Sequence, residues 1–444
     1  MIWSKYNYEY KSRKHGRLLF NYLTGVFLDL NDDEVYEMVH VIKKSPDNYD
    51  FSSDPDLKTY LLDNGIIAEK DEDNEDILYY RALRSRTQTL YKTITIVPTI
   101  DCNLTCPYCF EGVDKKKKYM SKKVVDAVKD YIDKTCVKTD TRHISLLWFG
   151  GEPLLAFDTI KEITHYVKDT GIPFYTDITT NGTLLTEDKL AVFEDLNVKQ
   201  IQITFDGPKE SHDAKRAYRN GKGTFDQLMS KSEMLEKYVI EHPDFIVHLR
   251  INVDLINKDN CADLYLTFRE QFPHLHVYFA PIKQYSTCSS AVDCFSGDED
   301  VLDYMIDLYY KYGIDVIDFD SVMRGMRPCM AECEGSVIIG PDGETYVCLN
   351  DVGNLKESSG NIVTGEINPE LVSRYRNARL TAYNPSCQKC KILWLCGGGC
   401  PHAQYRNKTY NEHNDTCTPV KRLSMLHKYL DVRYEIKTKI NNHE

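Results

Sequence analysis

The chain has 444 residues, more than one ordinary hydrophobic core organises, so two or three domains are expected. With 42% hydrophobic and 27% charged residues it reads as globular, and a formal net charge of −12 excludes a nucleic-acid backbone as the main partner. No apolar stretch reaches bilayer-spanning length and the N-terminus has no secretory pattern, so the fifteen cysteines read as metal or cluster ligands in a reducing cytoplasm rather than as a disulfide scaffold.

Residues 1–90 read as a separate small module. Leu18–Phe20 and Val26–Leu28 flank Thr24-Gly25, a hairpin signal. Asn31, with Glu34 three residues on, is the expected start of a helix carrying Val35, Met38, Val39 and Ile42 on one face. Pro55 opens a second helix with Leu57, Leu61 and Leu62, and Gly65 ends it. Ile66-Ile67 is a short strand. An acidic run, Asp71–Asp76, precedes a third amphipathic segment through Leu83. The pattern is winged-helix-like.

Residues 91–285 alternate between strands and helices. Expected strands are 93–99, 144–149, 175–179, 200–204, 246–253 and 275–280, with helices around Val124–Ile132, Thr186–Leu196 and Leu228–Val239. The alternation predicts a parallel α/β sheet of six strands, open or closed into a partial barrel, with chemistry at the C-terminal strand ends. The Lys115–Lys118 run reads as a solvated turn. Residues 286–444 are cysteine-rich, with no long periodic segment expected before a final helix near Leu423–Val432, and would be held mostly by metal centres.

Cys102, Cys106 and Cys109 follow the first strand of the α/β region as C-x3-C-x2-C. Three cysteines so spaced can hold three irons of a 4Fe–4S cluster and leave the fourth iron without a protein ligand. A lone C-x2-C often means zinc, but three further motifs follow the next strands. Gly150-Gly151-Glu152-Pro153 combines backbone able to approach a ligand with an anionic acceptor. Thr179-Thr-Asn181-Gly ends the third strand, and Thr204-Phe-Asp-Gly-Pro, with His212-Asp213 and Arg216, follows the fourth. Arg250-Ile-Asn252 ends the fifth, with a structural ion pair about as likely as a functional role. Near the end come Gly343-x4-Cys348, Cys387-x2-Cys390-x5-Cys396-x3-Cys400 and Cys417, preceded by Cys329 and Cys333. Cys136 and Cys261 read as buried small hydrophobes, and Cys288 and Cys294 as bystanders, with a substrate-facing thiol or spare ligands as the alternatives.

This order of motifs resembles the radical S-adenosylmethionine (SAM) superfamily, with the SPASM arrangement of auxiliary clusters at the C-terminal end. The resemblance implies a partial (β/α)6 barrel, SAM and three 4Fe–4S clusters. Cys102, Cys106 and Cys109 would hold the SAM cluster. Gly150, Gly151 and Glu152 would bind the SAM amino group, Arg216 its carboxylate, Thr204 its ribose and Tyr108 the adenine region, with Asn181 alongside. Cys329, Cys333, Cys348 and Cys400 would hold auxiliary cluster I, which keeps an open iron if one of these is not a ligand. Cys387, Cys390, Cys396 and Cys417 would hold cluster II.

SPASM enzymes mostly modify peptides and proteins. In the sulfatase-maturating branch, an Asp stands where Leu349 follows Cys348 here, and Asp351 is displaced by two. The N-terminal module resembles the leader-binding element of enzymes that mature ribosomally made peptides, which takes an extended leader as an added strand. The expected function is therefore a peptide maturase installing a thioether or carbon–carbon crosslink in a leader-bearing precursor, supplied with electrons by a reductant such as flavodoxin or ferredoxin. A sulfatase-maturating enzyme is the alternative, and an iron–sulfur electron carrier or zinc-bound interaction protein the remote one. Asp351, Glu332, Glu334 and Tyr285 are the nearby candidates for a base.

Overall fold

The computed structural model describes residues 1–69, 75–109, 117–283, 293–315, 328–379, 385–388, 390 and 392–441. Asp71–Asn74, Lys115, Lys116, Tyr285, Cys288 and the 285/286 boundary lie outside them.

The first ninety residues form β1 (Ile2–Trp3), β2 (Asn7–Ser12), β3 (Gly16–Asn21), β4 (Phe27–Asp29), α1 (Asp33–Lys44), α2 (Pro55–Asp63), β5 (Ile67–Ala68) and α3 (Glu75–Thr87). β3 and β4 pair antiparallel as the hairpin signal predicts, and β2 adds on the other side of β3. β5 pairs with β1. Alternation along β3 splits its side chains between two cores. Leu19 joins Val39, Ile42, Leu61 and Ile67 beneath α1 and α2. Leu18 and Phe20 join the main core of the molecule, on the side where Tyr8 bonds His427 of the final helix across 2.8 Å. The expected N-cap Asn31 is corrected to Asp32, whose carboxylate accepts from the Glu34 and Val35 amides. Asn31 is already engaged: its Oδ1 accepts from Arg17 N at 2.9 Å and its Nδ2 donates to His15 O at 2.7 Å, closing the β2–β3 turn.

Six parallel strands follow: β6 (Tyr91–Ile96), β7 (His143–Trp148), β8 (Phe174–Thr180), β9 (Val198–Phe205), β10 (Ile246–Val253) and β11 (His276–Pro281). They lie side by side in chain order. The intervening helices include α4 (Lys122–Ile132), α5 (Phe157–Asp169), α6 (Glu187–Phe193), α7 (Lys209–Lys215), α8 (Phe225–Glu241) and α9 (Lys258–Gln271). Strand residues such as Ile144, Leu146, Ile203 and Leu249 are fully buried in one core with Val128, Ile160 and Phe268 of those helices.

The C-terminal region departs from expectation. α10 (Asp298–Tyr312) is a fifteen-residue helix burying Val301, Leu302, Met305, Ile306, Leu308 and Tyr309, so a long periodic segment does precede the final helix. β12 (Ser336–Ile339) pairs parallel with β6, and β13 (Glu344–Tyr346), β14 (Gly360–Asn361) and β15 (Glu366–Ile367) extend one ten-stranded sheet. Helices α11 (Pro369–Arg376), α12 (Leu393–Cys396) and α13 (Pro401–Tyr410) precede the final helix, α14 (Leu423–Asn441). Among the described residues, no helix is long and apolar enough to cross a membrane.

Candidate functional site

The loop leaving β6 carries Cys102, Cys106 and Cys109, which gather with Leu104, Tyr108 and Tyr218. Cys102 and Cys106 are buried. Neighbouring strand ends pin the loop. Asn181, after β8, donates from Nδ2 to Asn103 Oδ1 at 2.8 Å and to Cys102 Sγ at 3.7 Å. Arg219 donates to Cys102 O at 2.8 Å and pairs with Asp101. Thr105 N donates to Ala217 O at 3.0 Å. Burial pushes the Cys106 thiol up, and Arg216 draws it back down.

Gly150 and Gly151 are needed for a reason the motif alone does not state: they let the turn after β7 lie against the cysteine loop. A Cβ on Gly151 would sit 2.2 Å from Asp101 O and 2.6 Å from Ile100 O; one on Gly150, at φ +126°, would sit 2.5 Å from Thr99 O. Gly151→Ala is therefore expected to displace the cysteine loop and abolish iron binding at the triplet, measured as iron content after anaerobic reconstitution.

Glu152 is completely buried and caps the 3-10 turn Pro153–Ala156. Its carboxylate accepts from Leu154 N at 3.0 Å, Thr180 Oγ1 at 2.7 Å and Asn181 N at 2.7 Å. Burial pushes its pKa up and these donors pull it back.

Above β9 and β10 lies a second group. Tyr108 donates its hydroxyl to Asp206, Arg216 donates to Tyr108 Oη at 3.1 Å, and Asn252 Nδ2 donates to Asp206 Oδ1 at 2.8 Å. Arg216 is buried, and its Nε has no hydrogen-bond partner. A buried guanidinium edge without an acceptor is costly unless a ligand supplies one. Thr204 is buried beside Arg250 in register. His212 takes a structural place: Nδ1 faces Asp206 N at 3.2 Å, Nε2 faces Thr224 Oγ1 at 2.9 Å, and burial lowers its pKa well below the usual histidine range.

The C-terminal cysteines divide into two groups. Cys387, Cys390, Cys396 and Cys417 line one small apolar cavity, with Lys421 donating to Cys417 Sγ at 3.6 Å. Burial pushes the Cys348 thiol up, with Asp351 and the neighbouring Cys400 and Cys329 adding to it, and Cys333 adjoins Cys329, its Sγ donating to Cys329 O at 3.4 Å. Among the described residues, no three His, Cys, Asp or Glu side chains close on a point that a single metal ion would occupy. Cys136 and Cys261 are fully buried free thiols, as expected. Cys294 is disulfide-bonded, which leaves it neither a free substrate-facing thiol nor a spare ligand.

Three of the candidate bases are engaged, Glu334 through an ion pair with Arg376 at 3.4 Å. Glu332 lies fully buried between Arg86 and Arg379. Asp351 accepts from Tyr375 and faces His402 Nε2 at 3.3 Å. Sequence reasoning missed Asp101 and Arg219, and it gave no role to Asp206 although this residue stands inside Thr204-Phe-Asp-Gly-Pro.

Residues 96–256 match the family model described as the Radical SAM superfamily. Radical SAM cyclopropyl synthase TigE of Paramaledivibacter caminithermalis is 25% identical over 450 residues, covering 90% of this chain and 89% of its own. The cysteine-type anaerobic sulfatase-maturating enzyme of Clostridium novyi is 26% identical over 350 residues, covering 71% and 88%. The solved structure of native anSMEcpe with bound AdoMet shares the fold at a TM-score of 0.59 and 20% identity, covering 79% of this chain and 100% of that one. Streptococcus suis SuiB bound to S-adenosylmethionine does so at a TM-score of 0.51 and 15% identity, covering 94% and 100%. The matched segment holds the cysteine triplet and the strand-end motifs around it, and with relatives of this kind along most of its length the chain is a radical SAM enzyme.

Proposed function

We propose that this enzyme matures a ribosomally made precursor peptide by forming an intramolecular crosslink, a thioether or a carbon–carbon bond. The observation that carries this reading is the reach of the similarity. The TigE relative aligns with 90% of the chain, whereas the sulfatase-maturating relative aligns with 71%. The wider alignment accommodates an N-terminal module ahead of the cysteine triplet, which a sulfatase-type enzyme does not require. A cyclopropyl synthase closes a carbon–carbon bond, which favours that branch of the proposal. A solved structure of SuiB bound to the precursor peptide SuiA, covering 93% of this chain at a TM-score of 0.51, adds a leader-bearing substrate in the same fold.

The residues fit the cofactor that the family implies. Cys102, Cys106 and Cys109 would hold its cluster, the unpartnered Arg216 edge suits a carboxylate, and Glu152, Asn181, Thr204 and Tyr108 surround the same strand ends. When bound, the reduced cluster and SAM supply the 5′-deoxyadenosyl radical that removes a hydrogen atom from the substrate. The chain's own work is to hold this group over the sheet and keep the cysteine loop closed through Asn181 and Arg219. The two C-terminal cysteine groups would hold two auxiliary clusters, which accept the electron that a crosslink must lose. The flat pairing edge of the β2–β3–β4 sheet would take the leader as an added strand.

The test is mass spectrometry of a short peptide encoded beside the gene, co-expressed anaerobically with the enzyme and alkylated to count thiols. Loss of two hydrogens is the expected result. A lost thiol assigns a thioether, and intact thiols assign a carbon–carbon bond. An unchanged mass with SAM cleavage intact overturns the reading in favour of the sulfatase-type alternative.

A further inference from the structure

The face of the sheet turned away from the helices is unlike the interior of a filled barrel. In most (β/α) barrels, branched apolar side chains fill the interior in layers. Here the strand residues facing the helices are closed to solvent, while those pointing the other way stay partly open and are mostly polar: Ser145, Asp177, Thr179, Gln202, His248 and Arg250. That they share one face follows from the register, which sets Thr179 beside Gln202 and Gln202 beside His248, and from Tyr278, whose hydroxyl donates to Gln202 Oε1 at 2.6 Å.

Two opposite charges stand in this channel without neutralising each other. The Asp177 carboxylate has no hydrogen bond and no ion pair among the described residues, and burial pushes its pKa up to about 6. Arg250 donates from Nε to Asn252 Oδ1 at 2.8 Å and touches Tyr278, with no carboxylate within ion-pair reach among the described residues. Charges held half-buried without an opposite charge lower stability and mark groups kept for a ligand. The channel also opens onto the candidate site. Asn252, which bonds Arg250, also donates to Asp206, and four residues along β8 from Asp177 stands Asn181, in contact with Cys102.

The spacing selects the class of ligand. β9 lies between β8 and β10, so the two charges are about 10 Å apart across the strands. Asp177 is level with Gln200, four residues before the Thr204 that faces Arg250, which adds about 13 Å along the strands. No single ion or compact metabolite reaches across both; a short extended peptide does.

We infer that Asp177 and Arg250 are the two anchors of a peptide-binding channel inside the sheet, Asp177 taking a cationic or N–H-bearing side chain of the peptide and Arg250 its carbonyl or carboxylate oxygens. This rests on the peptide-maturase reading and names where the core of the substrate lies, apart from any leader held by the N-terminal module. Both are positioning residues.

The experiment compares wild type with Asp177→Asn and Arg250→Met, reconstituted with iron and sulfide. Three readouts are taken: the thermal midpoint, SAM affinity, and KM and kcat for the peptide encoded beside the gene. Each substitution is expected to leave the midpoint unchanged or raise it by a few degrees, because it removes a charge that no opposite charge among the described residues compensates. Peptide KM is expected to rise at least tenfold, with SAM affinity held and kcat changed far less. A lowered midpoint makes the pair structural and overturns the assignment. A parallel loss of SAM affinity moves it to the cofactor and overturns it equally, as does an unchanged peptide KM. A wild type that leaves the peptide unmodified rejects the maturase reading instead, and the midpoints then decide whether the charges are structural.

Discussion

Cys102→Ala reduces 5′-deoxyadenosine formation to the level of a protein-free control, and iron content falls by about a third if three four-iron clusters are present. The argument is local. Cys102 is buried, and the short bonds that shape its loop run through the Cys102 carbonyl, Asn103 and Asp101, while its sulfur accepts only the longer contacts from Leu104 N at 3.5 Å and Asn181 Nδ2 at 3.7 Å. Alanine therefore removes the thiolate and leaves the loop in place. Cys261→Ala is the matching control, since Cys261 is equally buried but packs in the helix core with burial pushing its thiol up to about 12. That variant keeps both iron and SAM cleavage. An active Cys102→Ala enzyme with full iron would remove the triplet from the chemistry. Anaerobic chromatography of the nucleoside and a colorimetric iron assay decide it.

The sheet was legible because a parallel strand under helices writes its burial directly into sequence. Leu146, Ile178, Ile203 and Leu249 alternate with polar residues, and all six expected strands fall within a few residues of their observed positions. The site was legible where chemistry needs a fixed residue at a fixed spacing, as in the cysteine triplet. What sequence does not carry is the identity of a distant partner. Arg219 holds Cys102 O across 117 residues of chain, and Arg379 meets Glu332 across 47. The glycines of Gly150-Gly151 were read for the right property, close approach, but the partner is the backbone of residues 99–101. Asn31 and Asp32 are both good caps, and only the demand of the β2–β3 turn for the Asn31 side chain separates them. α10 had its signal in plain view, with Val301, Leu302, Met305 and Ile306 at helical spacing.

The largest stability effect is expected at Glu332. Its carboxylate holds two buried guanidiniums at once: Arg379 donates from Nε at 2.9 Å, and Arg86 approaches at 3.3 Å from the end of α3. Oε2 also accepts from Cys329 N at 2.9 Å, so the same side chain ties α3 to the first cysteine of the C-terminal group. Burial pulls the Arg86 guanidinium down and Glu332 pushes it back up; its Nε has no partner. Removing the anion strands two cations in a dry interior, which costs about 3–5 kcal/mol when a buried pair is broken. Glu332→Ala should accordingly unfold at markedly lower denaturant and lose whatever iron the proposed auxiliary site at Cys329 binds, while iron at the triplet, which Glu332 does not touch, persists until the fold itself fails. The mechanism separates from simple loss of packing by a second variant. Replacing Arg86, Glu332 and Arg379 together with apolar residues of similar volume removes the stranded charges, and should recover much of the stability that Glu332→Ala loses. If the triple variant is as unstable as the single one, packing and the Cys329 amide bond, not charge, hold this end of α3. Denaturation midpoints of the three proteins, followed by tryptophan fluorescence through Trp394 in the same core as Tyr6, give the answer.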